Sequence, residues 1–281
     1  MNARTRGARD RRAGPFGPAV AIAAIAWSLL TASLAAQGPP GGRSGGPPPT
    51  GKAGARADFT GNWVSVVSED WRWRMITPAK GDYANIPVNG AGRKIADAWD
   101  PAKDQAAGES CRAYAAPAIM REPGRLQIAW QDDNTLKIET DAGTQTRLLR
   151  FAAPNSPPPV ASEPTWQGTS IARWEAPPRG LAGTTIPLGL GSRAGTDGRT
   201  LEVTTTRIRP GYLRKNGVPF SADTTVTEYF DLFKDPDGLD WFVVTTIVRD
   251  PQFLNGPWVT TSHFKKEPDA SKWKPSPCAV R

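Results

Sequence analysis

Hydrophobic and polar residues alternate along much of the chain, which is the pattern of β-strands that bury one face. Residues 126–130, 136–140 and 144–151 alternate in this way and are separated by turns rich in Asp, Asn and Gly, so they predict an antiparallel meander. Further runs predict strands at 59–67, 71–76, 165–175, 201–209, 224–233, 241–249 and 258–264. One short helix is predicted at 90–99, where Asn89 provides a cap.

About ten strands without alternating helices predict an all-β fold. We expect a closed or nearly closed antiparallel barrel, with a sandwich of two sheets as the alternative. The folded domain is predicted to occupy residues 58–281. Residues 37–57 contain Gly/Pro runs and no large apolar side chain, a composition typical of a disordered linker.

The N-terminal segment, residues 1–36, has the three parts of a secretory signal peptide. Five arginines precede an uncharged apolar run at 19–34, and Ala35 and Ala36 offer small residues for cleavage. This run is shorter than the ~20 residues of a bilayer span. We therefore expect a periplasmic or secreted protein without a stable membrane span after cleavage; a retained anchor is the alternative. The sequence does not decide between the general secretory and twin-arginine routes.

Only two cysteines occur, Cys111 and Cys278, and both lie in the part predicted to be exported. An even count in an oxidising compartment predicts a disulfide. This bond would tie the C-terminal tail to the first third of the domain. Two unpaired buried thiols are the alternative.

The net charge of +8 lies mostly outside the domain. The leader carries +4 and the linker +3, which leaves +1 for the folded part and excludes a polyanion-binding surface such as nucleic acid requires. The single histidine, His263, excludes a metal site built from several histidines. No phosphate-binding loop or cofactor motif occurs, so we predict neither a metal nor a cofactor.

Residues 59–63, Phe-Thr-Gly-Asn-Trp, resemble the Gly-x-Trp signature at the first strand of lipocalin-type barrels. The segments that extend this likeness are 116–120, 164–168, 171–175, 227–230 and 250–258, together with the final cysteine. They resemble an uncharacterised family of exported bacterial proteins with a lipocalin-like β-barrel. The resemblance covers most of 58–278 and implies the fold and the compartment, but no activity. Thr169 stands where many members have a histidine, so any role of that histidine is absent here.

A carboxylate interrupts one apolar strand face. Val226, Glu228 and Phe230 share a face by alternation, so Glu228 should point into the barrel. A buried carboxylate is costly unless it is paired, and we expect Arg173 or Arg207 as its partner. The pair would either be a structural ion pair or line a ligand pocket.

The tryptophans complete the predicted site. Most of the ten that follow the leader should be core residues, whereas Trp71, Trp73, Trp166 and Trp174 are candidates for a pocket or its rim, with Trp166 and Trp174 as the proposed walls. The main hypothesis is a barrel that binds a small, partly apolar molecule, with Glu228 and Arg173 as its polar anchors. The alternative is a hydrolase or isomerase that uses Glu228 or Glu175 as a general acid or base. A structural role in the cell envelope is a third possibility.

Overall fold

Nine β-strands close into a barrel in the structure, a computed structural model that describes residues 51–152, 163–175 and 200–280. The predicted signal peptide and residues 37–50 lie outside these ranges. The described strands are β1 (Gly61–Val66), β2 (Arg125–Asp132), β3 (Thr135–Thr140), β4 (Thr146–Phe151), β5 (Thr169–Trp174), β6 (Leu201–Thr206), β7 (Gly211–Tyr212), β8 (Pro219–Phe220), β9 (Thr225–Lys234), β10 (Asp240–Arg249) and β11 (Trp258–Glu267). β7 and β8 form a separate two-stranded hairpin, and the other nine strands form the barrel.

The strand order around the barrel is β1-β11-β10-β9-β6-β5-β4-β3-β2, and β2 closes the ring on β1. All neighbours are antiparallel except β4 and β5, which run parallel with Leu149 opposite Ser170. A closed ring with an odd number of strands cannot alternate in direction throughout, so at least one parallel pair is required. The expected all-antiparallel barrel is therefore corrected at this one pair, and the barrel is mixed.

The inward face of the barrel forms the main hydrophobic core. Trp63 is fully buried, and its indole nitrogen donates to the Phe59 carbonyl at 2.8 Å. Its ring contacts Phe242 edge to face at 4.7 Å, and Phe242 stacks on Phe264 at the same centroid distance. Gly61, two residues before Trp63, has a φ of 123°, a conformation that favours glycine. The Gly-x-Trp segment thus lies at the start of β1 with its tryptophan inside the barrel.

A second hydrophobic cluster covers one end of the barrel. It is built by what we call the cap, residues 68–123 and 208–224. The cap contains the β7–β8 hairpin, a 3₁₀ turn at Ser110–Tyr114, and the helices α1 (Trp71–Arg74), α2 (Gly90–Ala98), α3 (Pro101–Ala106) and α4 (Ala116–Ile119). Its apolar side chains pack on Val226, Val248 and Trp258, which lie at the ends of β9, β10 and β11. Among the described residues, no helix has the length and hydrophobicity that a membrane span requires.

The predicted helix is confirmed as α2, with the Asn89 side chain accepting a hydrogen bond from the Gly92 amide at 2.9 Å. The predicted strand at 71–76 is wrong, because these residues form α1 and its C-terminal cap. Asp70 has a φ of 51° and turns the chain away from the extended direction of β1. Four alternating residues are too few to distinguish a strand from one helical turn. The other short helices of the cap were not predicted.

Both ends of the described chain are fastened to the domain. The predicted disulfide between Cys111 and Cys278 is present, with Cα atoms 5.1 Å apart, within the usual range for such bonds. At the other end, the Gly51 carbonyl accepts from the Trp174 indole at 2.9 Å, and the Lys52 amide donates to the Asp133 carbonyl at 2.8 Å. Residues 51–57, which the sequence assigned to the linker, therefore contact the barrel.

Candidate functional site

Glu228 lies inside the barrel, as its alternation predicts, and its partner is Arg147 of β4. The guanidinium donates two hydrogen bonds to the carboxylate, at 3.0 and 2.5 Å. Both side chains have 0% of their surface exposed. One guanidinium nitrogen also lies 3.5 Å from the Thr205 hydroxyl, which is itself 2.8 Å from the Ser170 hydroxyl. The four residues form a buried polar network in the wall and interior of the barrel.

The predicted pairing of Glu228 with Arg173 or Arg207 is wrong. Arg173 points outward from β5, because Ala172 and Ser170 occupy the inner face, and it pairs with Glu202 at 2.7 Å. Arg207 is exposed and has a φ of 53° just after β6 ends, so the alternation does not extend to it.

The predicted tryptophan walls do not converge on Glu228. Trp174, the last residue of β5, stacks on Phe59 and Phe151 in the barrel core. Trp166 precedes β5 and packs against the cap cluster, with the Arg209 guanidinium 4.4 Å from its ring. The two indoles therefore lie near opposite ends of β5. Glu175, the predicted alternative acid or base, is exposed just beyond the end of β5.

This arrangement favours a structural role for the Glu228–Arg147 pair. A side chain with no accessible surface borders no space that a water-sized probe can enter, so neither group can touch a ligand in this conformation.

A different polar site lies in the cap. A pocket of about 240 Å³ opens between α1, the chain that follows α4, and the turn between β7 and β8. Four basic side chains line it: Arg74 at the end of α1, Arg121 just after α4, and Arg214 and Lys215 in the turn. We call it the arginine pocket.

The guanidinium groups of the arginine pocket are buried but incompletely paired. Arg121 and Arg214 are only 5% exposed, and Arg74 is 9% exposed. None of the three side-chain nitrogens of Arg214 has a hydrogen-bond acceptor in the described part of the chain. Arg74 donates to the Arg121 carbonyl at 2.8 Å and to the Ser65 hydroxyl at 3.1 Å. Its remaining nitrogen has no hydrogen-bond acceptor and lies 3.9 Å from a Glu69 carboxylate oxygen. Native proteins rarely leave such buried donors unsatisfied.

Aromatic rings hold these cations in place. The Arg214 guanidinium lies between the rings of Trp73 and Trp258, at 5.1 and 6.0 Å from their centroids. Arg121 lies 5.0 Å from the Trp258 centroid. Contacts of this kind attract a cation to the ring face. They position the guanidinium groups without using their N–H donors, which stay available to another partner.

Burial and repulsion by a neighbouring cation make the positive charges in the arginine pocket unfavourable. Burial, and then the charge of Arg121, lower the pKa of Arg74 to about 10, and the same two causes lower that of Arg214 to about 10. Both side chains remain protonated near neutral pH. The nearby carboxylates already have basic partners. Asp70 lies 3.1 Å from Arg121, Glu122 lies 2.6 Å from Lys215, and Glu69 lies 3.9 Å from Arg74.

Sequence reasoning missed the basic residues of this pocket, although Trp73, a predicted pocket or rim residue, does line it. Arg74 fell in the wrongly predicted strand, and Arg121 and Arg214 occur in turns where no periodic pattern assigns a direction to a side chain. Within the described ranges, no three His, Cys, Asp or Glu side chains come together as metal ligands.

Comparison with known proteins adds no assignment: no protein-family model, curated protein or solved structure matches this chain.

Proposed function

We propose that this protein is an exported, lipocalin-like barrel that binds a small anionic molecule, and that it does so in the arginine pocket of the cap. The observation that carries the proposal is Arg214, a buried guanidinium whose donors have no acceptor among the described residues. The N-terminal leader supports export. The disulfide fits an oxidising compartment.

An anion would supply what the arginine pocket lacks. Burying a charge is costly unless it is paired, and the positive charge of Arg121 also repels those of Arg74 and Arg214. A carboxylate or phosphate accepts two parallel N–H bonds from a guanidinium, which makes arginine the usual residue for such recognition. A ligand of this type would satisfy free donors and reduce the repulsion in one step.

The proposed site differs from the interior site that the sequence suggested. Glu228 and Arg147 are joined by two hydrogen bonds inside the barrel and have no exposed surface, whereas the arginine pocket combines unpaired donors with an opening. Binding is favoured over catalysis by a carboxylate, because Asp70 and Glu122 at the pocket are each held by a basic side chain.

Thermal unfolding in different salts tests the proposal. Phosphate should raise the melting temperature of the wild-type protein more than sodium chloride does at equal ionic strength, where general screening is matched. Arg214→Gln should abolish this difference. Arg173→Gln is the matched control, because Arg173 lies on the outer face of β5 and pairs with Glu202.

Two results would contradict the proposal. One is a phosphate effect that Arg214→Gln leaves intact. The other is the lack of any specific effect of phosphate, sulfate, acetate or citrate on the wild-type protein.

A further inference from the structure

We infer that the ligand of the arginine pocket is an amphiphile, with an anionic head group bound by the arginines and an apolar chain that lies on the surface of α1. This inference rests on the function proposed above and specifies the class of ligand.

The surface beside the arginine pocket is apolar and exposed. Trp71, Met75 and Ile76 are 61%, 59% and 64% exposed, values more typical of polar residues than of large hydrophobic ones. The Met75 amide donates to the Trp71 carbonyl, so the two residues are one helical turn apart and lie on the same side of α1. We call these three residues the apolar lip.

The apolar lip reaches the pocket through two of its three residues. Met75 and Ile76 line the same opening as Arg74 and Arg214, and Leu213 contributes a further apolar wall. Exposed apolar patches of this kind mark binding sites for ligands or partners. A patch alone does not identify its occupant, but this one borders unpaired guanidinium groups. The occupant should therefore carry both an anionic and an apolar part.

The difference in burial between the basic and the apolar side chains indicates which part of the ligand lies innermost. The guanidinium groups are the buried elements of the site, and the apolar side chains are the exposed ones. A head group must then enter first, and the chain must follow outward over Met75 and Ile76.

The size of the pocket leads to the same order. Its volume of about 240 Å³ is below the ~300–1,000 Å³ of pockets that enclose a whole drug-sized ligand. A head group and a few carbons fit inside, and a longer chain has to extend along the apolar lip.

Isothermal titration calorimetry tests the inference by measuring the affinity for linear carboxylates from acetate to octanoate. All of them are kept below their critical micelle concentrations. Each CH₂ group that contacts the lip should tighten binding by up to about fourfold. Ile76→Ser should lower the ratio of octanoate to acetate affinity, whereas Arg214→Gln should weaken every member of the series. Leu239→Ser is the matched control, because Leu239 is an exposed hydrophobic residue in the turn between β9 and β10, at the opposite end of the barrel. It should leave the ratio unchanged.

The outcomes separate the two proposals. If acetate and octanoate bind equally well, or if Ile76→Ser leaves their ratio unchanged, the anion site stands and the amphiphile is refuted. If no carboxylate and no phosphate binds, the proposed function itself is wrong.

A second arm identifies the source of an amphiphile that does bind. Phosphatidylglycerol vesicles that sediment the wild-type protein, but neither Ile76→Ser nor Arg214→Gln, would show that the ligand is a membrane lipid. Octanoate binding without such sedimentation would show that the ligand is free in solution.

Discussion

Replacing Arg214 with methionine separates a ligand-binding arginine from a structural one. Methionine keeps much of the length and packing of the side chain but removes its charge and its unpaired donors. If the arginine pocket is built for an anion, the ligand-free protein is destabilised by the charge of Arg214. The substitution should then stabilise the folded state in the absence of ligand.

The size of the effect follows from the structure. The pKa of Arg214 falls from 12.5 to about 10, and at 1.36 kcal/mol per unit this corresponds to about 3 kcal/mol. A base with a lower pKa in the folded protein destabilises that state at every pH below the lowered value. Against this, methionine loses the cation–π contact to Trp73 at 5.1 Å, worth about 2 kcal/mol for a desolvated cation, and a weaker contact to Trp258 at 6.0 Å. The net stabilisation should be at most about 1 kcal/mol.

Urea unfolding in an anion-poor buffer measures this difference as a shift of the midpoint at constant slope. Arg147→Met is the matched comparison, because it removes the buried guanidinium inside the barrel and leaves Glu228 without its partner. That change should cost about 3–5 kcal/mol. Two buried arginines should thus respond with opposite signs.

A saturating anion should reverse the order of stability. At a hundred times its dissociation constant, phosphate would stabilise the wild-type protein by about 2.7 kcal/mol and Arg214→Met by much less. If Arg214→Met is less stable than the wild-type protein by more than about 1 kcal/mol in the absence of an anion, the reasoning is refuted. Such a result would mean that the donors of Arg214 are satisfied in the folded protein.

Three further predictions concern the fold and the compartment. Replacing Cys111 and Cys278 with serine should cost up to about 5 kcal/mol, from the loop of 167 residues that the disulfide closes, as urea unfolding with and without reductant would show; an unchanged midpoint would contradict this. Desolvation opposes the ionisation of Asp250, but hydrogen bonds from Thr224 and the Ser221 amide, among others, outweigh it and lower its pKa. Asp250→Asn should therefore cost about 1–3 kcal/mol at neutral pH, and its difference from wild type should shrink as the pH falls below 3.8, in unfolding curves measured across pH; a difference independent of pH would contradict this. N-terminal sequencing of the protein from its own host should place the first residue at 36 or 37, and a full-length chain found only in the cytosol would refute export.

The barrel could be predicted because strand alternation is a local property. Val226, Glu228 and Phe230 alternate with partly exposed residues in the sequence, and the structure buries the same three side chains. The same rule assigns Arg147 to a face with Leu149, so the partner of Glu228 was within reach of the sequence. Alternation does not show which inward-facing arginine lies near a given carboxylate, because that depends on the order of the strands around the barrel.

The arginine pocket could not be predicted in this way. Arg74, Arg121 and Arg214 come from a helix end and two turns that are far apart in the sequence, and neither type of segment has a periodic face. The burial of Arg214 is set by Trp73 and Trp258, which reach it from two other parts of the chain. Such a cluster exists only once the cap has packed onto the barrel.

The position of β1 between β2 and β11 has a consequence for how the protein folds. Trp63 in β1 lies opposite Lys266 in β11, about 200 residues later, so ring closure joins nearly the two ends of the domain. Contacts of such long range slow folding. Until β11 is available, one edge of β1 stays unpaired and can recruit a strand from another molecule. A chain that stops before β11 should therefore aggregate. The complete chain is prone to the same intermolecular pairing until β11 has paired with β1.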